Sequence, residues 1–407
     1  MTPRLYADLT QSWSEKGGGV RVYLNRKRRF ILEQTGDRHL LIIPGATDSV
    51  TEEDGGRAIT VTIASPKVPG SPNYRLLLRN RAVRAALERF RPDLIECEDA
   101  YNLPWAALAH RDRHPATALV ASFMTDFPTA YTKRIGAALG GDWLGRLSSR
   151  IAYRYLANLY RRFDSVVALS KYGGASRLRA IGVEAVHVSP LGVDIDEFSP
   201  DLADPALRAE AGVADGAPLL IYVGRLDREK RAQTVVDAFA QLPPEPGARL
   251  VLLGAGPLRD QFAALPGVLA PGFVRDRALL ARWLASADLY VSGMADETFG
   301  ISIIEAQAAG LPVVGVAAGA MIDRVPAALG RLGPVDDAVA MAANIRALLA
   351  DPALPTMRAA ARAHAASLSW DAAMRRLFDE VFPAALAHRA ASFNAGSVAA
   401  APDAANR

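Results

Sequence analysis

Short apolar runs alternate with helical patterns along this chain, most cleanly in its second half. Leu219–Val223 is rich in β-formers and ends at Gly224. Arg231–Leu242 then carries Val235, Val236, Ala238, Phe239 and Leu242 on one helical face. Leu250–Leu253, Leu289–Val291 and Pro312–Val316 read as further strands, with helical patterns at Leu258–Leu265, Arg277–Ala287 and Ile301–Ala309 between them. That alternation predicts βαβ units and a doubly wound parallel sheet. The first half repeats the plan with weaker strands at Arg38–Ile43, Ala58–Ile63, Asp93–Glu96, Ala118–Ser122 and Ser165–Ala168, and helices at Gly19–Gln34, Leu76–Arg89 and Trp143–Arg162. A strand near Leu5–Leu9 is poorly patterned.

The stretch Val188–Pro200, VSPLGVDIDEFSP, separates the two patterns. It predicts a first domain over 1–195 and a second over 196–368. Trp370–Arg389 is an amphipathic helix with Met374, Leu377, Phe378, Val381 and Phe382 on its apolar side. The Ala/Ser/Gly-rich end, 391–407, reads as a disordered tail.

Composition narrows the class. At 407 residues and 22% charged side chains the chain is ordinary globular protein. A single cysteine, Cys97, excludes an internal disulfide and any Cys-rich zinc site. No basic head precedes an apolar run at the start, and no stretch reaches the ~18 apolar residues of a membrane span, so a cytoplasmic protein is expected. Residues 1–200 hold 28 Lys/Arg against 21 Asp/Glu, and the remainder 19 against 22. The basic first half suggests a phosphate-bearing or membrane-surface partner, or simply a solvated Arg-rich surface.

Ligands of doubly wound sheets sit beyond the C-terminal strand ends, so the loops there are the places to look for chemistry. Gly224 is followed by Arg225 and, five residues further, by Lys230. The two cations could clamp a diphosphate or mark a solvated turn. Glu297 and Glu305 are eight residues apart around Gly300, which opens a helix whose free N–H groups favour an anion. Glu305 falls within an apolar helix and needs partners there: sugar hydroxyls, or a nearby arginine. Gly17, Gly18 and Gly19 precede the first helix and would let a substrate approach backbone N–H groups. There is no GxxxxGK[ST], HExxH, GxSxG or complete GxGxxG, and Gly254-Ala255-Gly256 lacks the third glycine. The six histidines show no metal-ligand pattern, and His110 and His114, in HRDRHP, read as a surface helix end.

Taken together these segments resemble the retaining glycosyltransferases of the GT-B fold, family-4 type. VSPLGVDIDEFSP is similar to that family's interdomain segment, IYVGRLDREK to its donor clamp, LLGAGPLRD to its next strand and turn, and ETFGISIIEAQAAGLPVVG to its E-x7-E signature. The resemblance implies an α/β protein of two Rossmann-like domains facing across a cleft. The first would bind the acceptor and the second the donor, with a C-terminal helix (369–390) crossing back to the first. It implies hexose transfer, of glucose or mannose type, from a UDP- or GDP-sugar with retention, no metal and no other cofactor. Arg225 and Lys230 would hold the diphosphate, Glu305 the ribose, and Glu297 the transferred sugar. Gly224, Phe299, Gly300 and Ile301 would line the donor, with Gly17–Gly19 against its phosphates. Where the family often has histidine this chain has Met124, and Asp126 is the nearest polar group, a sugar contact or a helix cap. The loop AAGAMID after Val316 lacks the family's acid.

The acceptor is expected to be a lipid, a lipid-linked sugar or a polysaccharide precursor. The helix GVRVYLNRKRRFIL sets Arg26, Lys27, Arg28 and Arg29 among apolar residues, which suggests peripheral contact with an anionic membrane on its cytoplasmic face, or a solvated basic face. A non-catalytic nucleotide-sugar binder and a GT-B epimerase are the alternatives. Nucleic acid is not expected, because only the pI near 9.2 points to it.

Overall fold

Strands buried on both faces need continuous apolar runs, and the first half supplies them in modest lengths. In the computed structural model, which describes residues 2–14, 18–69, 71–243 and 247–399, they are β1 (Leu5–Leu9), β2 (Arg38–Gly45), β3 (Ser49–Glu53), β4 (Ala58–Ala64), the small hairpin β5 (Lys67–Val68) and β6 (Ser71–Arg75), β7 (Leu94–Cys97), β8 (Ala118–Phe123), β9 (Ser165–Ala168) and β10 (Val186–Val188). The main sheet runs β10-β9-β8-β7-β1-β2-β4-β3. It is parallel except at its edge, where the exposed β3 pairs antiparallel to β4. Glu52 and Glu53 on β3 discourage further pairing there.

The second half forms β11 (Leu219–Val223), β12 (Arg249–Leu253), β13 (Val268–Gly272), β14 (Leu289–Val291), β15 (Val313–Val316) and β16 (Gly330–Gly333). These make one parallel sheet in the order β13-β12-β11-β14-β15-β16, the 3-2-1-4-5-6 order of a dinucleotide-type fold. The first sheet follows the same rule from β4 through β2, β1 and β7 to β10. Each therefore has a switch point where strand order reverses: β1 beside β7, and β11 beside β14.

The chain divides into two units, Met1–Leu169 with Gly174–Ser189 and Ala373–Arg407, and Ser170–Gly173 with Pro190–Ala372. The divisions expected at 195/196 and 368/369 thus move to 189/190 and 372/373, and four residues of the first half join the second unit. Val193 pairs with Ser369, and a side chain on Gly192 would strike the Trp370 backbone at 2.3 Å, so both linkers travel with the second unit.

Among the helices that flank the sheets are α1 (Gly19–Gln34), α2 (Lys133–Tyr160), α3 (Ala232–Ala240), α4 (Arg277–Ser286), α5 (Ile301–Ala308) and α6 (Phe382–Ala399). The expected disordered tail is corrected by α6: an alanine-rich stretch with no proline before Ala401 stays helical through Ala399, while 400–407 lie outside the described residues. At its start Phe382 stacks on Tyr6 with centroids 5.3 Å apart, and Phe378 meets Tyr6 edge-on at the same distance. The end of the chain is thereby sewn onto β1.

Three further expectations change. The helix expected from Trp143 is the second limb of Lys133–Tyr160, which non-helical Gly140 and Gly141 break in two, and a further limb from Lys133 precedes it. His110 is buried, not on the surface: its ring lies 4.5 Å from that of His114, whose Nε2 is 2.7 Å from Glu88 Oε2. And α1 presents only part of its basic run to solvent: Arg29 is exposed and Arg26 half-buried. Lys27 is fully buried, Arg28 binds His39, Thr60 and the Ile59 carbonyl, and Arg29 pairs with Glu33. Three acids beneath the helix draw Lys27 inward, as described next.

Candidate functional site

In the second unit the loops after β11 and β14 meet at the switch point. Asp227 Oδ1 accepts from the Lys230 N–H at 2.9 Å, closing a turn that returns the chain toward β14. Lys230 Nζ then donates to Glu297 Oε2 at 3.1 Å. Arg225 forks between Asp227, at 2.5 Å, and Glu229, at 2.8 Å. Tyr290 OH donates to the Val223 carbonyl at 3.2 Å and meets Ser302 Oγ at 2.9 Å, fastening the end of β11 to the start of α5. Gly300 opens α5 in the left-handed region, φ 81°, and a Cβ there would come within 2.6 Å of Ile303 Cδ1. Only glycine fits that turn, which aims the first N–H groups of α5 outward. Phe299 is buried under the Arg324 guanidinium, 4.7 Å from its ring centre, while Ile301 is exposed.

Glu305 is the acid within α5, and it has an arginine partner. Arg277 on α4 donates to its Oε1 at 3.0 Å and to Glu197 at 2.6 Å. Burial pushes the Glu305 carboxyl upward and Arg277 only partly offsets it. The structure thus brings Arg225, Lys230, Glu297, Gly224 and Gly300 to one strand end. Every cation there already holds a carboxylate. An anion with several oxygens could take Arg225 from Asp227 and Glu229, and Lys230 from Glu297, leaving Glu297 free to accept from hydroxyls.

The first unit holds a buried charge cluster that the sequence reading missed. Asp8 on β1 and Glu96 on β7 are register partners. Lys27 descends from α1 between them, 2.6 Å from Asp8 Oδ1 and 2.5 Å from Glu96 Oε2, with Glu98 at 3.9 Å. Tyr23 OH donates to Glu96 at 2.9 Å and Ser122 Oγ donates to its Oε1. Arg28 Nε donates to His39 Nδ1 at 2.9 Å, so His39 carries its proton on Nε2 and donates to Asp8 at 2.6 Å. Burial pushes the Asp8 carboxyl up, but Lys27 and His39 outweigh it and hold it well below the usual range. Burial lifts Glu98 well above that range and the neighbouring Asp8 adds to the rise, which Lys27 only partly offsets. The signal available in sequence was an acid inside each of two short parallel strands, Leu5–Leu9 and Leu94–Cys97, where an unpaired charge is not tolerated.

Of the glycines before α1, Gly17 lies outside the described residues. Gly18 caps the helix at φ 131°, and a side chain on Gly19 would meet no protein atom within 4 Å. Asp126 is buried, and its carboxylate is engaged by Tyr153 OH at 2.8 Å and by Arg177. It caps no helix with its side chain, and a sugar hydroxyl would have to displace one of those partners. Among the described residues, the groups close enough to share a metal ion are Asp8, Glu96 and Glu98, where Lys27 already supplies the cation, and Glu88, His110 and His114. Both are in the first unit.

Comparison with known proteins agrees with this geometry. Residues 17–197 match the model described as Glycosyltransferase Family 4, and 217–351 the model described as Glycosyl transferases group 1. The chain is 31% identical over 317 residues to a GDP-mannose-dependent alpha-mannosyltransferase of Mycobacterium tuberculosis, covering 75% of this chain and 78% of that one. It is 29% identical over 308 residues to the GDP-mannose-dependent alpha-(1-6)-phosphatidylinositol dimannoside mannosyltransferase of the same species, covering 74% and 76%. Sucrose-phosphate synthase from Thermosynechococcus elongatus superposes with a TM-score of 0.71 at 21% identity, over 94% of this chain and all of that one. With two doubly wound units of matching strand order, and Arg225, Lys230 and Glu297 brought together at the second unit's switch point, the chain belongs to the group 1, family-4 glycosyltransferases of the GT-B fold, enzymes that draw on nucleotide-sugars.

Proposed function

We propose that this enzyme transfers a hexose, with retention and without a metal, from a nucleotide-sugar to a lipid or lipid-linked acceptor at a membrane surface on the cytoplasmic side. GDP-mannose is the donor to test first. The observation that carries the reading is the Lys230–Glu297 pair, 3.1 Å apart, beside Arg225 and the left-handed Gly300. In this reading the two cations neutralise the charge that grows on the departing diphosphate, the part a divalent ion would otherwise play. Exchange of Glu297 for phosphate on Lys230 turns the carboxylate toward the sugar. Phe299, Gly300 and Ile301 present backbone N–H groups to sugar and phosphate. Glu305 accepts from the ribose hydroxyls while Arg277 holds its other face. The mannose preference is supported by the names of both mycobacterial relatives, and the lipid acceptor by that of the phosphatidylinositol dimannoside mannosyltransferase alone.

Thermal unfolding with GDP, UDP, ADP and their hexose conjugates tests the donor site. A ligand at ~100 times its dissociation constant adds about 2.7 kcal/mol to stability. The expected result is a base-selective upward shift that Glu305→Ala abolishes and that EDTA leaves unchanged. A folded protein that responds to no nucleotide would sink the proposal.

A further inference from the structure

Six of the twenty exposed large apolar side chains among the described residues fall between Tyr131 and Ile151. The chain there is a helical hairpin, not one straight helix. Gly140 and Gly141 leave helical geometry inside α2, Gly141 at φ 72°, and the chain reverses. The two limbs touch through glycines. A Cβ on Gly136 would lie 2.8 Å from the Leu144 carbonyl, and one on Gly145 would lie 2.7 Å from the Lys133 carbonyl. Ser148 Oγ donates across to the Thr132 carbonyl at 2.9 Å. Tyr153 pins the base: its hydroxyl bonds Asp126 and meets Thr129 Oγ1 at 3.0 Å. The far end of the second limb is core, with Leu156 and Leu159 fully buried.

The free end is apolar where a soluble hairpin would be polar. Leu139, at 78% the most exposed large apolar residue described, and Trp143, at 67%, flank the turn, with Ile135 at 60% behind them. Around them Lys133, Arg134, Arg146, Arg150 and Arg154 are all exposed, and Asp142 is the one acid between Tyr131 and Arg154. Further down, Arg150, Arg154 and Asn158 line a cavity of 360 Å³. The hairpin rises from the end of β8, on the side of the first sheet where its ligands would sit.

We infer that this hairpin is a membrane-docking element: Leu139 and Trp143 enter the interfacial layer of an anionic bilayer while the surrounding cations contact lipid phosphates. An apolar tip, an interfacial tryptophan and a surround of five cations against one acid suit that partner. The hairpin takes the place of the basic run on α1, whose Lys27 faces inward. The inference rests on the lipid-acceptor reading only for its purpose, since binding to a bilayer needs neither donor nor acceptor.

The test is flotation of the full chain with phosphatidylcholine vesicles, with and without phosphatidylglycerol, alongside light scattering of the protein alone and the nucleotide thermal shift above. The expected result is binding that requires phosphatidylglycerol. It should weaken about 10²-fold in Leu139→Ser/Trp143→Ser and at least tenfold in Arg146→Glu/Arg150→Glu, with unchanged melting temperatures. Brominated lipid should quench wild-type tryptophan emission and Trp143→Phe emission much less. Vesicle binding that survives Leu139→Ser/Trp143→Ser overturns the inference. So does a wild type that does not float, or a solution dimer that this variant dissociates, which would make the tip a contact between copies. A nucleotide shift without flotation removes the docking role and leaves the transferase reading standing. Flotation without a nucleotide shift does the reverse.

Discussion

Replacing Lys27 with methionine is expected to destabilise the first unit by about 3–5 kcal/mol, because it leaves several buried acids without their cation. Lys27 is fully buried and touches Asp8 and Glu96 at hydrogen-bond distance. Methionine matches its length, so the loss measures charge compensation and not volume. The pH dependence gives the mechanism a second check. In the wild type Asp8 is held below its ordinary value, so its contribution is present above about pH 4 and is lost as pH falls. In Lys27→Met the buried Asp8 carboxyl rises above its unfolded value. The native state then binds more protons than the unfolded one, and stability grows as pH falls. The deficit relative to wild type should therefore be smaller at pH 5 than at pH 8 in urea unfolding. Converting the cluster to a neutral one, Asp8→Asn/Lys27→Met/Glu96→Gln, should recover much of the loss. A Lys27→Met protein as stable as wild type at pH 8 would mean the acids are already protonated and the ammonium dispensable.

What could be read from sequence was the part fixed by local chemistry. A glycine at the end of an apolar run followed by a cation locates the β11 loop, and Gly300 between two acids locates α5. Those rules need only neighbouring residues. β16 escaped because Gly330–Gly333, GRLG, has no apolar pattern of its own and is a strand only because β15 pairs with it. Lys27 looked like one of four surface cations because its partners lie 19 and 69 residues away. Asp126 looked like a polar group offered to substrate because Tyr153 and Arg177, which occupy it, are 27 and 51 residues distant. The arginine partner of Glu305 was not legible because Arg277, on α4, lies 28 residues away. The hairpin inside α2 hid for a different reason. The break at Gly140 and Gly141 falls just before the helix read from Trp143, and the limb ahead of it is seen only through its close contacts at Gly136 and Gly145.

Lys230→Ala is expected to reduce turnover by roughly 10²–10³-fold, equivalent to about 2.7–4 kcal/mol of barrier, while leaving stability nearly unchanged. The two effects separate because the Lys230–Glu297 pair is only partly buried, 24% exposed on each side, and such pairs contribute little to folding. On the proposed reading the same ammonium faces, in the transition state, a diphosphate whose charge is growing, and its attraction is larger there than to the bound donor. Donor affinity should fall as well, since Glu297 then confronts the phosphates unneutralised. Adding Glu297→Gln to Lys230→Ala should restore part of the donor affinity without restoring turnover. That non-additivity distinguishes a clamp whose acid and base exchange partners from two residues acting separately. Lys230→Arg should recover charge but not rate, because a planar fork on a longer stem cannot place a point charge between Asp227's turn and Glu297. Calorimetric donor titration and the rate of nucleotide release in the presence of acceptor supply the two quantities. Wild-type turnover in Lys230→Ala would remove the clamp from the mechanism and shift the burden of the leaving charge onto Arg225 and the N-terminus of α5.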